Sequence, residues 1–278
     1  MTANEASLVL AYLARKADGL EPVRRFIEGY SERPAGMAHD FLVIFKGFES
    51  DEDRAETLSL FARFSPQSIN VSDRGFDLSV YFDLIRIRPY PYYCFVNTFS
   101  RPLVDGWLRS LFQATVSPGV GVAGVSASWE SMATNVFDMT RPTCKFWKLE
   151  SRDRRRYPRY FPWFPNYHLR TNAFVISRDV ALKIKVPKMK EKFDAYRFES
   201  GKNGLTAQIL EMGLRPVVVG RDGIFYDKED WWRSNTFRQP HQSNLLVADN
   251  QTEIFASACP IEKAAMSRRA WRHHTQIV

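Results

Sequence analysis

Three short polar segments in the first half of the chain carry side chains that could bind a phosphate-bearing nucleotide. The candidate residues are Phe45, Lys46 and Gly47 in the first segment, Asp73, Gly75 and Asp77 in the second, and Asn97, Ser100 and Arg101 in the third. Lysine and arginine can neutralise phosphate oxygens, and aspartate can accept hydrogen bonds from a base or a ribose. We therefore predict a nucleotide site here. Asp73 as a simple helix N-cap, and Asn97 and Ser100 as mere turn residues, are the structural alternatives.

A second group of residues, in the second half of the chain, suits an acceptor molecule that carries hydroxyl groups. The group consists of His168, Arg170, Thr171, Asn172, Trp231, Trp232 and His241, with Asp249 as a further candidate contact. Tryptophan combines a large apolar ring with one polar atom, so it can stack on a sugar face. The alternative for the two tryptophans is burial in the core, and the alternative for His168 is a purely structural role.

One carboxylate is a candidate for proton transfer. Glu199 begins the segment ESGKNG, which precedes a predicted helix, and Gly201 and Gly204 favour a shaped loop there. A carboxylate held in such a loop could act as a general base on an incoming hydroxyl group. Glu199 as a capping residue or a loop salt-bridge partner is an equally good interpretation of the same segment.

The elements that must position these residues alternate along the chain. Apolar runs at 40–48, 68–73 and 92–97 predict strands, and the segments between them have helical spacing. This alternation predicts an α/β domain with a mostly parallel central sheet flanked by helices. The runs are continuous, as in strands buried on both faces. Ligands of such sheets bind beyond the carboxyl ends of the strands, where the polar segments fall, together with a fourth segment at 126–131.

The two ends of the chain are predicted to be helical. Residues 4–31 are expected to form two short helices interrupted by Gly19, and 261–274 a final helix. Between them, residues 135–167 are rich in Arg, Pro, Tyr and Trp and predict a long excursion over the edge of the sheet. Residues 229–252 form a long polar and aromatic loop, which is typical of a lid.

The composition limits the setting and the partners. The chain has 278 residues and a net charge of +8, and it contains no apolar run of about 18 residues that would span a membrane. Cys94, Cys144 and Cys259 are far apart, which favours a reduced, cytoplasmic location. The charge suits a nucleotide diphosphate or an anionic membrane surface. The basic run 152–160 could bind single-stranded nucleic acid, but no nucleic-acid motif surrounds it, so that partner is not expected.

The order and spacing of these segments resemble the GT-A glycosyltransferases, especially the inverting enzymes of family 2. The resemblance is carried by YCFVNTFSRPLVDGWLRSL, SPGVGVAGVSAS and ESGKNGLTAQILEMGLRPVVVG, and it covers about 41–220. It implies one GT-A-like, Rossmann-like domain with N-terminal helices (1–38), a nucleotide-sugar-binding half (39–130), and an acceptor-binding half with a C-terminal lid and helix (131–278). It also implies transfer of a sugar from a nucleotide-sugar donor to a hydroxyl, with Glu199 as the base.

The sequence departs from that family where the family binds a metal. The metal-binding acid would fall near Phe99, and Asn97 and Ser100 are poor ligands for Mg²⁺ or Mn²⁺. We therefore predict no metal ligands and a metal-independent enzyme, in which Lys46, Arg101 and Arg170 would neutralise the diphosphate. The expected acceptor is a glycan or a lipid-linked glycan of a bacterial surface polysaccharide, with peripheral association to an anionic membrane. The alternative is an inactive GT-A-like scaffold that binds a nucleotide or a glycan.

Overall fold

The computed structural model describes residues 7–136 and 151–272, except for the side chains of 151–154. The strands are β1 (Leu8–Arg15), β2 (Asp40–Lys46), β3 (Gln67–Val71), β4 (Tyr92–Val96), β5 (Arg101–Pro102), β6 (Val120–Gly124), β7 (Ala127–Ser128), β8 (His168–Leu169), β9 (Ala173–Ser177), β10 (Arg215–Val219), β11 (Phe225–Tyr226) and β12 (Val247–Ala248). The helices are α1 (Glu21–Glu32), α2 (Asp51–Leu60), α3 (Asp77–Ile87), α4 (Trp107–Thr115), α5 (Met132–Asn135), α6 (Ser151–Tyr160), α7 (Arg178–Ala181), α8 (Lys192–Ser200), α9 (Leu205–Glu211), α10 (Asn250–Ser257) and α11 (Pro260–Trp271).

Eight of these strands form one mixed sheet in the order β11-β10-β6-β9-β4-β1-β2-β3. The strands β4, β1, β2 and β3 are parallel, as are β6 and β10, whereas β9 runs antiparallel between β4 and β6. The carboxyl ends of the parallel strands therefore share one edge with the amino end of β9. We call this the carboxyl edge. The predicted α/β class with a mostly parallel sheet is confirmed.

The N-terminal part corrects one prediction. The helix α1 exists, but the residues before it form β1, an inner strand of the four parallel strands, and not a helix. All residues from Leu8 to Ala14 are fully buried, and β1 pairs with both β2 and β4. A short continuous apolar run fits a buried helix or a buried strand equally well, and its pairing with two neighbours decides between them.

Helices cover both faces of the sheet, because alternate residues of a strand point to opposite faces. The cluster on one face joins β1 to α1 and α4, and the cluster on the other face joins β1 to α3, α8 and α9. The β1 residues in the first cluster are Leu8, Leu10, Tyr12 and Ala14, and those in the second are Val9, Ala11 and Leu13. Each buried Leu, Val or Phe side chain stabilises this three-layer arrangement by about 1.5–3 kcal/mol.

The two aperiodic regions contain more regular structure than their sequences predict. Residues 151–160, expected within a loop, form α6, whereas 137–150 lie outside the described residues together with Cys144. The predicted lid contains a short 3-10 helix (Trp231–Arg233) and β12, which pairs with β5. The expected final helix is confirmed as α11. Among the helices of the described residues, none combines the length and hydropathy needed to cross a bilayer.

Candidate active site at the carboxyl edge of the sheet

A charged group lies at the ends of β1 and β2 and just beyond β3. Arg15 Nε and Nη2 donate to the two carboxylate oxygens of Asp73 at 2.9 and 3.0 Å. Lys46 Nζ donates to Asp73 Oδ1 at 3.1 Å and lies 3.6 Å from Asp77 Oδ1. Lys46 is buried, whereas 46% of the Asp73 side chain and 43% of the Asp77 side chain are exposed. We call these four residues the charged group.

Local backbone geometry brings Asp73 over the end of β2. Gly47, the residue after Lys46, has φ +81°, and a Cβ atom at this position would lie 3.1 Å from Asp73 Cβ. A glycine is needed here both for the left-handed conformation and for the close approach. The N-cap of α3 is Phe76, so the alternative interpretation of Asp73 as a simple helix cap is wrong. Gly75, with φ +77°, supplies the turn between them.

The two carboxylates of the charged group have opposite pKa shifts. The hydrogen bonds from Arg15, together with Lys46, lower the pKa of Asp73 to about 2, against the opposing effect of burial. Although the Asp77 side chain is partly exposed, desolvation of its carboxyl group raises its pKa, and the charges of Lys46 and Arg15 only partly offset this. Asp73 is therefore a firmly ionised partner of the two cations, whereas Asp77 is the weaker acid.

A neutral polar chain follows β4 and precedes β9. Ser100 Oγ lies within hydrogen-bond distance of Asn97 Oδ1 (2.9 Å) and of the backbone carbonyl oxygen of Asn172 (2.8 Å). The backbone N–H of Asn97 donates to that same carbonyl oxygen at 2.9 Å. Ser126, after β6, donates from Oγ to Asn172 Oδ1 at 3.1 Å. Three strands thus contribute side chains to one connected network, which we call the polar chain.

The polar chain ends in a buried ion pair. Arg170 Nη1 donates to Ser126 Oγ at 3.1 Å, and its Nη2 donates to Asp249 Oδ2. The Asp249 side chain is 1% exposed and the Arg170 side chain 13%, and the guanidinium lies 4.1 Å from the centroid of the Phe237 ring. Asp249 is also the N-cap of α10, through a hydrogen bond from the Thr252 amide at 2.9 Å. Arg170, predicted to meet an acceptor, thus already has a carboxylate partner.

One donor of the polar chain is unused. Asn172 is 4% exposed, and its Nδ2 has no hydrogen-bond partner within the described residues. A buried polar atom without a partner costs about 1–3 kcal/mol, so Asn172 Nδ2 is a donor that a bound water or a ligand oxygen would satisfy.

Glu199 reaches the same edge from the last turn of α8. Its Oε1 accepts hydrogen bonds from Thr171 Oγ1 at 2.9 Å and from the Thr171 amide at 3.3 Å. Its other oxygen forms no hydrogen bond within the part of the chain that the structure describes. Glu199 is half-buried and is neither a helix cap nor part of an ion pair with a described residue. The two alternative roles considered for it, as a cap or as a loop salt bridge, are therefore not observed.

His168 lies in the same neighbourhood and is neutral. Its Nδ1 is 2.8 Å from the Asn166 carbonyl oxygen, which can only accept, so Nδ1 carries the proton and Nε2 keeps its lone pair. Desolvation lowers the pKa of His168, although the Asn166 carbonyl and the carboxylates of Glu199 and Glu130 act in the opposite direction. His168 is thus placed as a hydrogen-bond acceptor beside Glu199.

Glu130 adds a second charge near His168. Its Oε2 accepts from Arg238 Nη1 at 2.7 Å, and its Oε1 accepts from Asn135 at 2.7 Å. Burial alone would raise the pKa of Glu130, but Arg238 and the hydrogen bond from Asn135 outweigh it and lower the pKa. Glu130 therefore remains ionised and its oxygens are already bonded, which leaves Glu199 as the carboxylate with an unused oxygen.

Several predicted contacts lie away from this cluster. Arg101 Nη2 is 3.4 Å from Glu253 Oε1, so it faces α10 and not the charged group. Phe45 is fully buried, and its ring packs on Phe48. Trp231 is also fully buried, with its Nε1 donating to the Tyr226 carbonyl oxygen, so the prediction that it stacks on a sugar is wrong.

The other two aromatic candidates are more accessible. Trp232 is half-buried, and the Arg233 guanidinium lies 4.7 Å from the centroid of its ring. His241 is exposed. Both belong to the loop that precedes β12. They remain predicted acceptor contacts.

Residues 97–100, where the sequence resemblance would put a metal-binding acid, do not fit a divalent cation. Asn97 Oδ1 already accepts from the Phe99 amide at 3.1 Å and lies 2.9 Å from Ser100 Oγ. Hard cations of this kind require several oxygen ligands, preferably carboxylates. Within the described residues, no group of three or more His, Cys, Asp or Glu side chains could hold a metal ion.

Sequence reasoning missed Arg15, which forms the strongest contact of the charged group. The assignment of 4–31 to helices hid it, although it follows an apolar run just as Lys46 does. In the sheet, Arg15 and Lys46 are register neighbours on β1 and β2. Ser126 and Glu130 belong to the segment 126–131, which was predicted to lie at this edge, but nothing in their local sequence shows that they bind Asn172 and Arg238.

No protein-family model matches the chain, and a search of curated proteins finds no match. Solved structures match it at low identity. A mannosyltransferase from Pyrobaculum calidifontis, solved with GDP-Man and Mn²⁺, has a TM-score of 0.45 and 12% identity, with 78% of this chain and 55% of that chain covered. This chain thus spans about half the length of that enzyme.

Two further structures are similar at the same level. A CMP:2-keto-3-deoxy-manno-octonic acid synthetase, solved with CTP, has a TM-score of 0.42 and 13% identity, with 75% of this chain and 87% of that chain covered. Mouse xyloside xylosyltransferase 1 has a TM-score of 0.38 and 11% identity, with 74% and 80% covered. The solved structures similar to this chain thus include glycosyltransferases and a nucleotide-sugar synthetase. At these scores, the matches carry no argument about its function.

Proposed function

We propose that the chain is a glycosyltransferase that transfers a sugar from a nucleotide-sugar donor to a hydroxyl of a glycan or lipid-linked acceptor. The observation that carries this proposal is that one edge of the sheet holds two cations, an unpaired amide donor and a carboxylate with an unused oxygen. These are Arg15, Lys46, Asn172 and Glu199. The resemblance of the strand-to-helix segments to GT-A enzymes supports the same class of reaction.

The donor would bind across the charged group and the polar chain. Lys46 and Arg15 supply positive charge for the diphosphate, and Asp73 orients both cations through its paired oxygens. Asn172 Nδ2 supplies a neutral hydrogen bond to a donor oxygen. Of the three cations expected from the sequence, Arg101 faces Glu253 on α10 and Arg170 is held in the buried pair with Asp249. Lys46 and its neighbour Arg15 share the half-exposed Asp73 at the ends of β1 and β2, so we assign the diphosphate to them.

The chemical step is a displacement at the anomeric carbon. Glu199 takes the proton of the acceptor hydroxyl while the acceptor oxygen forms a bond to that carbon. The bond from the carbon to the diphosphate oxygen breaks, and the nucleoside diphosphate leaves with the bonding electron pair. Attack on the face opposite the leaving group inverts the configuration. Thr171 holds Glu199 Oε1 through two hydrogen bonds, so the other carboxylate oxygen is the one that receives the proton.

The first experiment is a thermal-shift screen with nucleotides and nucleotide sugars, each in the presence of Mn²⁺ or of EDTA. A ligand that binds only the native state raises the melting temperature. We expect one nucleoside diphosphate class to stabilise the protein equally in EDTA. If no nucleotide changes the melting temperature, the donor site is wrong.

The second experiment uses the donor from that screen and tests Glu199. Loss of a general base costs about 100-fold to 10,000-fold in rate, so Glu199→Gln should abolish detectable transfer without changing nucleotide binding. The control is Glu56→Gln, an exposed glutamate on α2. If both variants transfer at the wild-type rate, Glu199 is not the base. A protein that binds nucleotide but transfers no sugar to any acceptor would be the inactive scaffold.

A further inference from the structure

A basic surface lies on α6, α8 and the segment between α7 and α8, outside the candidate active site. Residues 182–192 contain five lysines, Lys183, Lys185, Lys188, Lys190 and Lys192, and all five are exposed. Their only acidic neighbour within this segment, Glu191, is bonded to Arg156. We call residues 182–192 the lysine segment.

The fold presents the lysine segment in a defined conformation. Ile184 and Met189 alternate with the lysines and are buried in the core, at 5% and 7% exposure. The buried Gln208 accepts from the Lys185 amide at 2.7 Å and donates to the Lys185 carbonyl oxygen at 3.2 Å. Buried apolar anchors and this backbone clamp therefore direct the lysine side chains outward.

The lysine segment borders a cavity of about 850 Å³ with a strongly positive lining. Its charged lining consists of six basic residues (Arg159, Lys183, Lys185, Lys188, Arg197 and Lys202) and two acidic residues (Asp194 and Glu211). The Asp194 carboxylate, in the first turn of α8, is already hydrogen-bonded, because it accepts from the backbone amides of Lys190 and Glu191 at 3.0 and 3.2 Å. Within the described part of the chain, none of the three cavity-lining lysines of the segment has an ion-pair partner.

We propose that the lysine segment and this cavity bind the headgroups of an anionic phospholipid membrane. The lysine charges are spread over ten residues, and Lys190 and Lys192 lie outside the lining of the cavity, which fits many headgroups better than a single anion. Leu182, at the start of the segment, is 47% exposed and offers an apolar contact. Juxtaposed lysines of this kind are attracted to anionic lipid surfaces.

Single-stranded nucleic acid fits this surface less well. Recognition of unpaired bases relies on free aromatic faces. Tyr160 lines the cavity, but the Arg197 guanidinium already lies 4.0 Å from the centroid of its ring. The lysine segment itself contains no aromatic residue.

This surface would also orient the candidate active site, a consequence that rests on the proposed function. The helix α8 begins at Lys192 in the lysine segment and carries Glu199 in its last turn, about 10 Å further along the helix axis. Binding of the lysine segment to a membrane would therefore bring α8, the helix that carries Glu199, close to a lipid-linked acceptor in that membrane.

The test is sedimentation of the full chain with vesicles, without any donor, so its outcome does not depend on the transfer reaction. We expect binding to vesicles of phosphatidylcholine mixed with phosphatidylglycerol and none to phosphatidylcholine alone. The triple variant K183Q/K185Q/K188Q should bind about 100-fold more weakly, since each lysine near an anionic surface contributes about fivefold. The matched control, R24Q/R88Q/R221Q, removes the same charge from exposed arginines elsewhere and should lose much less.

Three results would overturn the proposal. The first is equal loss of vesicle binding in the two triple variants at unchanged melting temperature, which would show a nonspecific charge effect. The second is that millimolar inorganic phosphate or glycerol phosphate displaces the protein from vesicles, which would indicate a site for a single small anion. The third is that a single-stranded oligonucleotide binds to the lysine segment while vesicles do not.

Discussion

The charged group and the polar chain share one edge of the sheet but differ in how their ions meet solvent. Nearly half of the Asp73 and Asp77 side chains is exposed, although the Lys46 between them is buried. In the polar chain, Asp249 is 1% exposed and its partner Arg170 is 13% exposed. Water can solvate the two carboxylates of the first region when they lose a partner, but it cannot reach the carboxylate of the second. The charged group is therefore suited to exchange partners with a ligand, whereas the polar chain is a fixed support.

The charged group and the polar chain would also contact a ligand in different ways. In the charged group, a diphosphate would compete with half-exposed carboxylates for Lys46 and Arg15. In the polar chain, the buried Asn172 Nδ2 has no partner among the described residues, so it can donate to a ligand oxygen without breaking an existing bond. A donor molecule that spans both regions would meet adaptable charges at one end and a preorganised amide at the other.

The largest effect is expected from breaking the buried ion pair. Arg170→Ala leaves Asp249 as a buried charge without its partner, which costs about 3–5 kcal/mol of unfolding free energy. Urea unfolding followed by circular dichroism measures this loss. The matched variant Arg15→Ala, in the charged group, should cost less than about 1 kcal/mol. Equal losses in the two variants would contradict the distinction between a fixed and an exchangeable region.

A smaller effect is expected on donor affinity. Lys46→Met removes a charged hydrogen-bond donor, and such bonds contribute about 1.5–3 kcal/mol, so nucleoside diphosphate should bind roughly tenfold to hundredfold more weakly. Isothermal titration calorimetry with the nucleotide from the thermal-shift screen measures this. Arg101→Met is the comparison, because Arg101 faces Glu253. If Arg101→Met weakens binding as much as Lys46→Met, both side chains contact the donor, and the assignment of the diphosphate to Lys46 without Arg101 is wrong.

The smallest effects concern the pH dependence of stability, and the two aspartates should differ in sign. Asp73 has a folded pKa of about 2, below its ordinary value of 3.8, so its contribution is present above 3.8 and is lost as the pH falls towards 2. Asp73→Asn should therefore lower stability at neutral pH, by less than about 1 kcal/mol because the side chain is half-exposed. The deficit should shrink over this range and vanish below pH 2.

Asp77 has a raised pKa, so ionising it in the folded protein is unfavourable. Asp77→Asn should increase stability slightly at neutral pH, and this gain should disappear once the pH falls below the ordinary value of 3.8. Thermal unfolding of both variants and the wild type across this pH range tests the pair. Stability changes of the same sign in the two variants would contradict the opposite effects expected of Asp73 and Asp77.

The sequence by itself determined the sheet class and the places where polar residues meet it. Continuous apolar runs must be buried, and the residue after such a run must lie at a sheet edge. This local logic correctly placed Lys46 and Asn97 at the carboxyl edge, and helical spacing predicted α2, α3 and α11. It needed no information about which strands are neighbours.

The tertiary structure decided everything that depends on strand order and partner choice. The run before Arg15 is a strand because it lies between β2 and β4, and the same run could have packed as a helix. Arg170 pairs with Asp249, which is 79 residues away in the sequence, and Trp231 is buried in the core, where its ring is not available to a ligand. Hydrogen bonds form between groups that are close in space, and desolvation depends on which groups surround a side chain. A local pattern can therefore name the polar residues of a site, but not the partners that set their charge and accessibility.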